Sequence, residues 1–146
     1  MKTILVPIDS KKEGNLVASK AIEIASAFES TVHLVHVTSA EKSNREDNDS
    51  EIEYISSDKL SKFEKEMGIL NRFKSKFTEA GLLCEVHLLK GKPQQQILNL
   101  AEKHHVDLII LGLINHSTLY KVFVGSVSNE VIKGTKTPVL LVPPRK

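Results

Sequence analysis

Two segments of this chain combine residue types that can hold an anion or a base. The first is Pro7-Ile8-Asp9-Ser10, where an apolar run stops at a carboxylate. The second opens at Gly112 and returns through Gly125-Ser126-Val127-Ser128 into a helical pattern. A glycine just ahead of a helix suits phosphate, because no Cβ blocks the backbone and the free N–H groups of the first turn point at the anion. The hydroxyls of Ser126 and Ser128 add donors. The same residues also make a plain turn and a helix cap, and local sequence leaves both readings open. Lys11 and Lys12 lie close enough to Asp9 to approach a triphosphate, and they equally suit a surface helix start. His116, Ser117 and Thr118 lie between the two glycines, where they can touch a ligand or form a solvated lid.

Other reactive residue types point elsewhere. His104-His105 with Asp107 falls at an expected helix end, where solvated histidines favoured by the helix dipole are ordinary. His33, His36 and His87 lie in expected strands and lack the paired spacing and thiolates of a zinc site. No metal site is expected. Cys84 is the sole cysteine, so no internal disulfide can form, and its apolar surroundings predict a buried, inert thiol. There is no Gly-x-Ser-x-Gly elbow and no GxxxxGK[ST] loop. A receiver domain would need an aspartate after the third strand, where Leu89-Lys90-Gly91 stands instead.

These segments need elements to position them. Ile4–Ile8 reads as a buried strand, and Ser10 with Glu13 has capping-box spacing for the helix that carries Val17, Ala21, Ile24, Ala25 and Phe28. Thr31–Val37 is a second strand with Val32, Leu34 and His36 on one face and His33, Val35 and Val37 on the other. A polar, acidic stretch at about 39–58 reads as a mobile loop. Leu60, Phe63, Met67, Leu70, Phe73 and Phe77 then form a helical stripe that ends at Ala80-Gly81. Leu83–Leu89 is a third strand, and Pro93 opens a helix that ends near His104. Val106–Leu111 is the most apolar strand, followed by a loop from Gly112 to Val124 and a helix from about Ser126 to Lys133. Pro138–Val142 closes the series as the fifth strand. Alternating strands and helices predict an α/β fold, an open parallel five-stranded sheet covered on both faces. Ligands of such sheets collect at the carboxyl ends of strands where the winding reverses.

The 146 residues fit one domain, 40% of them apolar, with a formal net charge of +2 and both signs interleaved. No basic stripe tracks a phosphate backbone, so no nucleic-acid partner is expected. No apolar run reaches the ~20 residues that span a bilayer. Met1–Ile8 is too short for a secretory signal, so no membrane and a cytoplasmic location are expected.

Taken together, KTILVPIDS, VHLVHV, GKPQQQILNLAEKHHVDLIILG and GSVSNEVIKGTKTPVLLVP resemble the universal stress protein family over nearly the whole chain. Nucleotide-binding members of that family carry a glycine, two residues, a second glycine, nine residues, then glycine and Ser or Thr. Gly112, Asn115, Gly125 and Ser126 fall on that spacing, with Asn115 replacing the second glycine. Ile114 stands where many such members carry a polar or basic side chain. The resemblance implies strand order 3-2-1-4-5 and a Rossmann-like domain over residues 1–146. It implies ATP or another adenine nucleotide, with Mg2+, bound by a stress-response regulator. Pro7, Ile8, Asp9 and Val37 would hold the base and ribose, Gly112, Ile114, Asn115, Gly125, Ser126, Val127 and Ser128 the phosphates, and Leu111 would also line the nucleotide site. A branch of the family lacks the glycines, so a nucleotide-independent interaction module with a vestigial pocket remains the alternative. No catalytic residue is expected; slow ATP hydrolysis, with Asp9 as the only base at hand, is the most the residues allow. Family members commonly dimerise through the closing strand, which implies a homodimer through Pro138–Val142. A further protein partner is implied without being identified.

Overall fold

Ile4, Leu5 and Val6 are all fully buried, which places their strand at the centre of the fold rather than at its rim. The computed structural model describes residues 1–8, 13–38, 57–116, 121–123 and 126–143. Its elements are β1 (Thr3–Pro7), α1 (Glu13–Phe28), β2 (Thr31–Thr38), α2 (Ser57–Glu79), β3 (Cys84–Lys90) and α3 (Pro93–Lys103). There follow β4 (Leu108–Gly112), β5 (Ile114–His116), β6 (Lys121–Phe123), α4 (Ser126–Gly134) and β7 (Val139–Val142). The main sheet is parallel, in the order β3-β2-β1-β4-β7. With β7 as its fifth strand, this is the expected 3-2-1-4-5 arrangement. Residues 9–12, 39–56, 117–120, 124–125 and 144–146 lie outside the described residues, and with them Asp9, Ser10, most of the expected polar loop and Gly125.

Alternation along the strands sorts side chains into two cores. On one face Ile4, Val6, Val32, Leu34, Leu108 and Ile110 pack with Val17, Ala21 and Ala25 of α1 and Leu70, Phe73 and Phe77 of α2. On the other, Leu5, Val35, Ile109 and Leu111 meet Ile97, Leu100 and Ala101 of α3 and Val131 of α4. Pro93 occupies the first turn of α3, where its missing N–H costs nothing. Gly81, at φ 85, makes the turn after α2. Cys84 is buried as expected, and desolvation pushes its thiol up to about 11, so it stays protonated and unreactive at neutral pH.

Three expectations need correction. Neither Phe28 of α1 nor Phe63 of α2 joins the buried stripe of its helix; each is 53% exposed. Glu66, one turn after Phe63, reaches His36 near the end of β2, so the first turns of α2 extend past the carboxyl end of that strand. The expected loop from Gly112 to Val124 contains an antiparallel ribbon, with Ile114 opposite Phe123 and His116 opposite Lys121. β-branched and aromatic residues favour such pairing once the chain folds back.

The amino end of the sheet is tied by Asp107, whose Oδ2 accepts from the backbone N–H of Lys2 (2.8 Å) and of Thr3 (3.0 Å). Its own N–H donates to the Thr3 carbonyl at 2.8 Å, so β1 and β4 are locked in register just before their first paired residues. The hydrogen bonds from Thr3 and Lys2 hold the Asp107 carboxyl below its ordinary value of 3.8. As pH falls the unfolded chain therefore takes up this proton first, and stabilisation present at neutral pH is lost on acidification. The difference in urea midpoint between wild type and Asp107→Asn is expected to be full at about pH 6 and to narrow toward about pH 3. A difference that stays constant with pH would show that the carboxylate charge plays no part in the clamp.

Candidate functional site

The carboxyl ends of β1, β2 and β4 bring together Pro7, Ile8, Val37, Leu111 and Gly112 from three separate stretches of sequence. Ile8 continues the path of β1: its N–H donates to the Val35 carbonyl at 2.8 Å, and its side chain is only 4% exposed. Its carbonyl accepts from Nδ1 of His36 at 3.0 Å. The other ring nitrogen, Nε2, meets the Glu66 carboxylate at 3.2 Å. Both partners are acceptors, so His36 makes both bonds only when its ring carries two protons or Glu66 carries one. Ile8, His36, Glu66, Ile69 and Leu70 line a small hollow here, on the α2 side of the sheet. Val37 stands opposite Leu89 and packs at the margin of the other core.

On the β4 side, Leu111 is buried and Gly112 pairs with Val142. A Cβ at Gly112 would lie 2.8 Å from Cγ2 of Val17, so α1 packs directly against the strand at this glycine. The N–H of Leu113 donates to the Val142 carbonyl at 2.9 Å and is already engaged. Ile114 and Asn115 continue into β5, with Asn115 opposite Val122. Asn115 is thus in extended backbone, and the left-handed turn for which asparagine is suited is not called for. Helix α4 begins at Ser126; Val127 packs at the edge of the core beneath α3, and Ser128 is buried.

Three further side chains converge where none was expected. His33, His87 and His104 come from β2, β3 and the residue that caps α3, and lie on the α3 face toward the amino ends of the strands. His104 is half-buried and stacked on His33, not solvated. The available signal was strand parity: His33 shares its face with Val35 and Val37, and His87 with Leu89. Asp107, adjacent in sequence, serves the backbone clamp instead.

Residues 1–143 match the family model described as the universal stress protein family. The chain belongs to that family. The universal stress protein MJ0531 of Methanocaldococcus jannaschii is 31% identical over 141 residues, 97% of this chain and 81% of that protein. The solved universal stress protein UspA from Lactobacillus plantarum has a TM-score of 0.79 at 19% identity, covering 97% of each chain. A universal stress protein from Archaeoglobus fulgidus in complex with dAMP has a TM-score of 0.68 at 21% identity, again over 97% of each chain. These likenesses establish a universal stress protein fold. No helix among the described residues is long and apolar enough to cross a membrane.

In this universal stress protein, Gly112 has a packing reason to be glycine whatever binds beside it. Gly112→Ala should therefore cost about 1–3 kcal/mol from overpacking, even with no ligand present. Val17→Ala removes the opposing methyl, so the double variant should lose less than the sum of the two single losses. Additive losses in a denaturant cycle would show that the contact does not decide the residue.

Proposed function

We propose that this universal stress protein is a regulator that binds an adenine nucleotide at the carboxyl ends of β1 and β4. One observation carries the reading. The chain leaves β1 toward β2 and β3 and then crosses to β4 and β7 on the opposite side, so the winding reverses between β1 and β4. The two connections diverge at that point, and it is at such reversals that open α/β sheets hold ligands. The first turn of a helix such as α4 has N–H groups without partners inside the helix, the kind that hold phosphate. The A. fulgidus relative of the same fold, solved with dAMP, supports an adenine nucleotide as the class.

In this reading the nucleotide is ATP with Mg2+. Both backbone polar groups of Ile8 have protein partners and its side chain is packed in the core, so its contribution is the placing of Asp9 beside the ribose. Gly125, Ser126 and Ser128 hold the phosphates, and occupancy biases the segment from Gly112 to Gly125 toward a conformation read by a protein partner. The competing reading is an interaction module of the same fold that needs no nucleotide. It draws on three facts: Val17 accounts for Gly112, Val142 occupies the Leu113 N–H, and Asn115 sits in a strand.

Native mass spectrometry of the purified protein, followed by calorimetric titration with ATP and AMP, separates the two. Adenine nucleotide is expected on the protein, and Gly125→Val should weaken ATP by more than about tenfold, over 1.4 kcal/mol, while circular dichroism stays unchanged. No binding of either nucleotide to wild type would leave the interaction module as the function.

The proposal extends to a homodimer through β7. This strand is an edge of the sheet, and Val139, Leu140 and Leu141 are only partly buried. An apolar edge without charge or bulge templates pairing with a second chain, and an antiparallel twofold contact would satisfy both copies. Leu140→Lys is expected to convert dimer to monomer in sedimentation equilibrium. A wild type that sediments as a monomer at tens of micromolar, roughly where a modest interface holds, would remove the dimer.

A further inference from the structure

The geometry points to a divalent transition-metal site formed by His33, His87 and His104, at the amino-terminal end of the sheet and independent of the nucleotide reading. One ring nitrogen from each histidine lies within 4.8 Å of the others. Nδ1 of His33 and Nε2 of His87 are 3.0 Å apart, and the His104 ring stacks on that of His33 at 4.3 Å. Zinc–nitrogen bonds of about 2.0–2.1 Å put tetrahedral ligand nitrogens about 3.3–3.4 Å from one another. The first pair therefore needs little adjustment, and the third nitrogen must close by at most roughly 1.5 Å, a turn of the His104 ring out of its stack.

Two independent features fit a cation. Nε2 of His104 is buried and has no hydrogen-bond partner among the described residues, which leaves a costly orphan that a metal would satisfy. Desolvation, with the neighbouring histidines adding, lowers the proton affinity of both His33 and His87, so their rings stand neutral with lone pairs available. The Glu85 carboxylate, opposite His33 in the β2–β3 register, favours positive charge here, whereas Lys103 opposes it. Coordination uses the lone pairs of both facing nitrogens, so whichever of His33 and His87 donates in the free protein moves its proton to the outer ring nitrogen. Three imidazoles suit zinc, copper or nickel rather than calcium or magnesium, and zinc would keep a fourth position for water. His33 is buried while His87 and His104 are half-buried, so the fourth position opens outward past the latter two. A bound ion would tie β2 and β3 to the end of α3.

The test is a zinc titration of the untagged, metal-free full chain against a chromophoric chelator, with thermal unfolding and the visible spectrum of the cobalt-loaded protein as second readouts. One zinc per chain is expected, with a higher Tm in its presence and an intense cobalt band of tetrahedral type. His87→Gln and His104→Asn should each weaken zinc by more than the ~10–100-fold that loss of an outer-shell partner costs. Both variants leave His33, the buried member, in place and are to be checked for fold by circular dichroism. His105→Asn, at an exposed position, should bind as wild type does. Failure of wild type to take up zinc, or equal uptake by His87→Gln and His104→Asn, would overturn the site.

Discussion

The rest of the structure depends on the burial of β1 on both faces while it is hydrogen-bonded along both edges. Ile4 and Val6 point into one core and Leu5 into the other, each with no exposed surface. β2 pairs along one edge and β4 along the other. A strand so enclosed has to satisfy every backbone group within the sheet, since no water reaches it. That requirement puts β4 beside β1 although about a hundred residues separate them, and the Asp107 clamp sets the register at which they meet. The reversal of winding between β1 and β4 follows from the same pairing.

Close packing at that end makes one residue answer to two demands. Gly112 ends β4 directly under Val17, and even a single methyl group there would collide with it. In a family where glycine at this point is associated with phosphate, the glycine here is already required by the approach of α1 to the sheet. The glycine has a packing reason of its own, so its presence says less about a ligand than its spacing implies. The weight of the nucleotide reading rests on the switch point and on the start of α4.

The opposite end of the sheet has another character. Next to a continuous apolar layer of Leu5, Val35, Ile97 and Ala101, the α3 face carries three imidazoles in mutual contact. Burying them costs solvation, and one nitrogen is left without a partner. Leu or Val at the two strand positions would pack without that cost.

Local patterns were enough to show the five strands and four helices of the main fold. Apolar runs mark the strands, helical spacing marks Val17 to Ala25 and Met67 to Phe77, Gly81 marks the end of α2 and Pro93 the start of α3. Strand parity likewise placed Val32 and Leu34 opposite Val35 and Val37. The strand order came from likeness to a family, since alternation alone does not say which strands are neighbours. Other features needed the folded chain because they depend on contacts between distant residues. Phe63 has the right spacing for the core but lies in the turns of α2 that extend past β2, and the ribbon of β5 and β6 forms only when the segment doubles back. His36 found Glu66 across 30 residues, and His33 found His87 across 54. Spacing along one element reports which face a residue occupies, but which other element covers that face is decided by three-dimensional packing.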